Sequence, residues 1–180
     1  MYQNDECSDK STWGDGPWQS EPDRLEWEHA GLPCLAVRNL RFGFWCGYAA
    51  VPLGHPLHGK RYDDVDVDVH GGLTYANACE GHICHVPKPG QPDDVWWFGF
   101  DCGHFGDYAP GIAATLRQVD PDRRTYDHAR AVASADAMPD NLRHIGVIEI
   151  FRTLDYVQAE TNRLAEQLAE FRSVHGELER

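Results

Sequence analysis

The stretch Val95-Trp96-Trp97-Phe98-Gly99-Phe100-Asp101-Cys102-Gly103-His104-Phe105-Gly106-Asp107 constrains the fold of this chain more than any other. In a strand, side chains alternate between two faces. Trp96, Phe98, Phe100 and Cys102 share one face, and Val95, Trp97, Gly99 and Asp101 the other. Both faces are apolar, so the strand belongs in the middle of a sheet rather than at its rim. The polar end, Asp101 to Asp107, then emerges where backbone amides and side chains can meet a ligand.

Other segments supply pairing partners. Leu25 to His29 alternates like a half-buried strand, Gly31-Leu32-Pro33 turns the chain, and Cys34 to Arg38 and Phe42 to Val51 follow as strands. Their short spacing predicts antiparallel neighbours. Between Asp63 and His70 alternation is strict: Val65, Val67 and Val69 face one way, and Asp64, Asp66, Asp68 and His70 the other. Leu73 to Ala76, a short piece at Ile83 to Val86, and Ile145 to Phe151 complete the expected strands. Ala113 to Leu116 and Tyr126 to Ala137 read as helical turns, bounded by Pro121 and Pro139. At the end, Thr153 is suited to cap a helix and Asp155 to complement its dipole. Val157, Thr161, Leu164, Leu168 and Phe171 then recur at spacings of four and three as one apolar stripe.

The expected architecture is α+β: a mainly antiparallel sheet of about six strands with a C-terminal amphipathic helix packed on it. An N-terminal arm (1–24), tied down through Trp13 and Trp18, precedes a single domain (25–180). The same helix could instead pair with its counterpart in a second copy, making a homo-oligomer an alternative use of the stripe.

At 180 residues, the chain can bury a core without metals or disulfides. Lys and Arg number 16 against 29 Asp and Glu, and the net charge of -13 argues against a broad nucleic-acid surface. A small basic pocket remains compatible with that charge. No apolar run approaches a membrane span, and the start lacks a basic-then-apolar signal pattern, so a cytoplasmic location is expected. The six cysteines, Cys7, Cys34, Cys46, Cys79, Cys84 and Cys102, are then expected to be reduced.

His55, His58, His70, His82, His85 and His104 fall within one third of the chain, interleaved with cysteines. Cys84-His85 and Cys102-x-His104 are compact pairs of zinc-type ligands, so Cys84, His85, Cys102 and His104 form a candidate metal set. Their spacing matches no standard finger, and buried thiols with hydrogen-bonded histidines are the alternative. The carboxylates of Asp64, Asp66 and Asp68 either bind a hard cation such as magnesium or calcium or form a solvated face; Asp64 and Asp66 fit the solvated face, while Asp68 and His70, nearest the Gly71-Gly72 turn, are the better site candidates. Asp101, His104 and Asp107 are candidates for acid/base catalysis, because a carboxylate can orient an imidazole that titrates near neutrality. The alternative is that Asp101 and Asp107 pin the glycine-rich turn through backbone hydrogen bonds. Trp96, Trp97, Phe98, Phe100 and Tyr48 either stack on a ligand or fill the core. No phosphate loop, dinucleotide motif or nucleophile elbow is present.

Several of these motifs also resemble a family. Val51-Pro52-x-Gly54-His55-Pro56, His58-Gly59-Lys60, Val69-His70-Gly71-Gly72-Leu73-Thr74, Cys84-His85-Val86-Pro87 and Trp96-Trp97-Phe98-Gly99-Phe100-Asp101-Cys102-x-His104 resemble a group of bacterial and bacteriophage proteins to which no activity attaches. The resemblance implies a small stand-alone protein of mobile elements, with no catalytic role to carry over.

Three functions fit this reading. The first is binding of a small polar, nucleotide-like ligand by His55, Lys60, Asp68, His70, Gly71, Gly72, Trp97, Asp101, His104 and Asp107. In a phage setting this would sequester a host defence signal. The second is a metal-dependent hydrolase built from the same His, Asp and Cys residues, with zinc as the cofactor. The third is an acidic protein-protein inhibitor or adaptor.

Overall fold

The structure is a computed structural model that describes residues 9–119 and 149–176. Strands β1 (Arg24–His29), β2 (Leu32–Arg38), β3 (Trp45–Pro52), β4 (Tyr75–Ala78) and β5 (Val95–Asp101) form one antiparallel sheet in the order β1-β2-β3-β5-β4. The aromatic strand β5 lies between β3 and β4, as its two apolar faces require. Helix α1 (Pro110–Val119) follows it, and α2 (Leu154–Gly176) closes the fold across β2 and β3. This is the α+β architecture expected, with five strands instead of about six.

The α2 stripe is what holds the two layers together. Val157, Thr161, Leu164, Ala165 and Leu168 are fully buried against Cys34, Ala36, Ala49, Val51, Phe98 and Phe100 of the sheet. Gly47 sets the approach: a Cβ there would collide with Thr161 and the Phe100 ring. The helix start is capped as expected, since Tyr156 N–H donates to Thr153 Oγ1 at 3.4 Å. The opposite sheet face buries Leu35, Val37, Tyr48, Ala50 and Trp97 under the 79–94 loop, with Ile83 as its apolar contact. Trp97 is therefore core, on the face away from α2.

The missing strand is the acidic comb. Val65 and Val69 are buried and Asp64, Asp66 and Asp68 exposed, so the alternation is real, yet residues 65–69 join no ladder. Side chains of α2 take the ladder's place. Asp68 N–H donates to Gln167 Oε1 at 2.7 Å, Gln167 Nε2 donates to Asp68 O at 2.9 Å, and His70 N–H donates to Glu160 Oε2 at 2.9 Å. Side-chain amides and carboxylates satisfy an extended backbone as well as a neighbouring strand does. Of Ile145 to Phe151, the described part contributes one parallel bridge, Asp107 to Ile150. Residues 145–148 and the expected helical turn at 126–137 lie outside the described residues.

The arm is tied down as expected: Trp13 and Trp18 are buried, and Trp18 packs edge-on against Phe151 at 5.0 Å. One cysteine pair departs from expectation. Cys79 and Cys84 form a disulfide, because the tight Glu80–Ile83 bridge brings their Cα atoms to 4.6 Å. Cys34, Cys46 and Cys102 are free thiols.

The β1–β2 hairpin turns on Ala30 (φ 50) and Gly31 (φ 73), a two-residue connection with both residues in the left-handed region. Ala30 is the only non-glycine residue among those described to adopt positive φ. Ala30→Asn should therefore stabilise the protein by about 0.5–1 kcal/mol, seen as a higher urea midpoint at unchanged slope. No gain would show that the turn is not conformationally limiting.

Candidate functional site

Three separate segments meet beside the exit of β5. The extended stretch laid along α2 delivers His70, the turn after β5 delivers His104 and Asp107, and the entry into α2 delivers Arg152 and Tyr156. Asp107 is the centre. Its side chain is 2% exposed, and its Oδ2 lies 2.7 Å from His70 Nε2 while Oδ1 lies 2.9 Å from Arg152 Nε. The His104 backbone N–H also donates to Oδ2 at 3.1 Å. Burial pushes the Asp107 carboxyl up. The hydrogen bonds and positive charge of His70 and Arg152 outweigh that effect and hold it below its ordinary 3.8.

His70 is orientated at both ring nitrogens. Because an ionised Asp107 can only accept, Nε2 carries the proton in the neutral ring, and Nδ1 accepts from the Tyr156 hydroxyl at 3.0 Å. Burial raises the Tyr156 hydroxyl to about 12, which keeps it a donor. His104 is different. Its ring stands 5.5 Å from that of His70, centroid to centroid, and its Nδ1 is buried with no hydrogen-bond partner. That nitrogen lies 3.7 Å from Asp107 Oδ2 and 4.0 Å from Asp101 Oδ1. Gly71 makes the position possible: it has φ 67, and any Cβ there would strike the His104 ring.

His70, His104 and Asp107 are the only described residues that bring three ligand atoms within 4.8 Å of one another. Two imidazoles and one carboxylate form a borderline donor set suited to zinc and neighbouring divalent transition metals. An orphaned, buried imidazole nitrogen is costly unless it gains a partner, and a metal ion supplies one. Metal on His70 Nε2 would displace its proton. The Tyr156 hydroxyl, able to donate or accept, could then accept a hydrogen bond from Nδ1–H.

The other residues singled out from the sequence fall into place around or away from this centre. Asp101 pins the turn: Oδ1 accepts from Gly103 N–H at 3.0 Å and Oδ2 from the Thr74 hydroxyl at 3.0 Å. Gly71 and Gly72 form the turn under His104, both at positive φ. His55 is buried, with Nε2 3.0 Å from Leu168 O, and anchors its loop to α2. Lys60 is exposed, and its carbonyl accepts from Trp96 Nε1 at 2.9 Å. Asp68 faces solvent and Trp97 is core, its indole N–H 3.5 Å from Cys79 Sγ.

The metal set Cys84, His85, Cys102 and His104 does not assemble. Cys84 is spent in the disulfide, and His85 is buried against Trp97 with Nε2 3.1 Å from Pro92 O. Cys102 points into the core below α2, where burial pushes its thiol well above the ordinary range. It is no nucleophile. Of that set only His104 belongs to the centre.

The sequence reading missed Arg152, Tyr156 and Glu160. They are spaced by four, a polar stripe adjoining the apolar one. That spacing was the available signal, but nothing in it says that the stripe meets residues 45 to 90 positions away.

Comparison with known proteins returns no match: no family model, no curated protein and no solved structure matches this chain.

Proposed function

We propose that His70, His104 and Asp107 bind one divalent transition-metal ion, and that this centre hydrolyses a small anionic substrate. The observation that carries the reading is the buried, unpartnered His104 Nδ1 beside Asp107 and His70. Three protein ligands leave a coordination position for water, which is the arrangement of catalytic rather than structural zinc. Arg152 adds the anionic preference. Its Nε holds Asp107, and among the described residues its terminal nitrogens make no hydrogen bond. A guanidinium in that state can pair with a phosphate or carboxylate oxygen. Asp107 and Tyr156 orientate His70, and the Asp101–Thr74 bond holds the turn that carries His104.

A second reading keeps the same centre for binding without turnover. It is favoured by the pre-formed hydrogen bonds among His70, Asp107, Arg152 and Tyr156, which need no substrate to complete them. In that reading the ligand is small, polar and nucleotide-like, and sequestration of a host defence signal remains the corresponding biological role.

Chelator-stripped protein titrated calorimetrically with zinc should bind one equivalent, and His104→Ala should weaken this by about 100-fold or more. The loaded protein should release nitrophenol from a nitrophenyl phosphate ester, and the variant should not. Absence of stoichiometric metal sinks the proposal. Metal without turnover across phosphoesters and carboxylic esters selects the binding-only reading.

A further inference from the structure

A cavity of about 350 Å³ opens near the β1 edge of the sheet, between the start of β1, the end of β2, the following turn and the disulfide hairpin. None of its lining residues belongs to the His70–His104–Asp107 centre. We infer that this cavity is a second binding site, for a small organic anion that carries a phosphate, sulfate or carboxylate group on an apolar body.

The charge of its wall points that way. In a chain of net charge -13, the cavity is lined by Arg24, Arg38, Arg41 and His82 against a single carboxylate, Asp23. Asp23 is already paired with Lys10 at 2.8 Å and with Arg38 at 2.7 Å. Arg38 is buried in that pairing and in a second one with Glu21, so it is structural. Arg24 is structural as well. It pairs with Glu26 and donates to the carbonyls of His82 and Cys84, which fastens the disulfide hairpin as one wall.

The donors left over are Arg41, His82 and Asn39. Among the described residues no carboxylate pairs with Arg41, whose guanidinium lies 5.1 Å over the Phe42 ring. Asn39 uses its Oδ1 to accept from the N–H groups of Arg41 and Phe42, which leaves its NH2 donors unspent. These groups suit an anion of one or two charges. The strongly acidic remainder of the molecule repels a long polyanion, which limits the ligand to a small one.

The apolar part follows from Val37 and Leu40. Val37 belongs to the core face of β2, while Leu40 is 42% exposed at the cavity mouth. A volume of this size accommodates a ring-sized body in addition to the anionic group. Inorganic phosphate would satisfy the donors and leave the leucine in water.

The test uses the full chain with chelator present, with phenyl phosphate and inorganic phosphate as probes in 1H–15N spectra. Phenyl phosphate should bind saturably and shift the amides of Asn39, Leu40, Arg41 and His82. Arg41→Glu and Leu40→Asp, both at exposed positions, should each weaken it by about tenfold, and inorganic phosphate should bind at least about tenfold more weakly than phenyl phosphate. His104→Ala should leave the affinity unchanged, which separates this site from the metal centre. The inference is overturned by any of three results: no saturable shift up to about 10 mM, shifts confined to residues around His70 and His104, or equal affinities in Arg41→Glu and the unaltered protein.

Discussion

Arg38→Leu should cost about 3–5 kcal/mol of folding stability, among the largest losses expected from single substitutions outside the hydrophobic core. Arg38 sits at the end of β2 with its side chain wholly buried. Its Nε donates to Asp23 at 2.7 Å, one terminal nitrogen to Glu21 at 2.6 Å, and the other to the Gly43 carbonyl at 2.9 Å. The guanidinium also lies 4.2 Å over the Trp45 ring. Glu21 extends the network by accepting from Trp45 Nε1 at 3.1 Å and from Leu154 N–H, the first residue of α2, at 2.8 Å. Removing the cation leaves Glu21 without its charged partner and Asp23 with Lys10 alone, and loosens the N-terminal arm and the α2 entry together. Urea unfolding should show the loss, and the melting temperature should fall by roughly 10 °C. Adding Glu21→Gln to Arg38→Leu should restore part of the loss, because one stranded charge disappears. Independent, additive losses would show that the two residues are not coupled.

Asp107→Ala should cost a similar amount, about 3–5 kcal/mol in metal-free protein, because it leaves His70 and Arg152 facing an empty, nearly solvent-free position. The milder Asp107→Asn separates charge from volume through pH. In the folded protein the carboxyl lies below its ordinary 3.8, so its stabilisation is complete above that value and drains away as pH falls through the folded one. The stability gap between the unaltered protein and Asp107→Asn should therefore narrow as pH falls below about 4. Urea midpoints at successive pH values in chelator give this directly. A gap that persists unchanged to pH 3 would falsify the pairing of an ionised Asp107 with His70 and Arg152.

The parts of the fold that were legible share one property: their pattern is local. The α2 stripe was readable because burial on a helix repeats every three to four residues, and its cap because Thr153 acts on its own first turn. Strand β5 was readable because its seven consecutive residues left no exposed face. The valine comb illustrates the limit. Alternation placed Val65 and Val69 on one face and Asp64, Asp66 and Asp68 on the other, and the valines are buried while the aspartates are exposed. It could not say whether a strand or the side chains of a helix would satisfy the backbone between them, because both leave the same pattern.

The candidate site was half legible for the same reason. His70 and Gly71 beside a turn, and His104 and Asp107 after a strand, announced exposed chemistry near loops. The metal set expected from Cys84-His85 and Cys102-x-His104 rests on adjacency in sequence, which the fold does not turn into adjacency in space. Strand β5 ends at Asp101 and the chain turns directly after it, so the Cys102 thiol is buried under α2 while His104 stands in the turn beyond. Arg152 and Tyr156 were missed because they lie after a long intervening segment and look like ordinary helix-entry residues.

The sequence by itself determined much of the layering of this protein: an aromatic strand inside an antiparallel sheet, an amphipathic C-terminal helix, and which face of each is buried. These follow from periodicity, and periodicity is written locally. Only the tertiary structure decided that Asp107 would be shared by His70, Arg152 and the His104 amide, that Arg38 would be buried, and that His104 would be left with an unpartnered nitrogen. Those outcomes depend on where α2 crosses the sheet, and that crossing is set by the packing of Gly47 against Thr161 and of the whole stripe at once, which no single segment encodes.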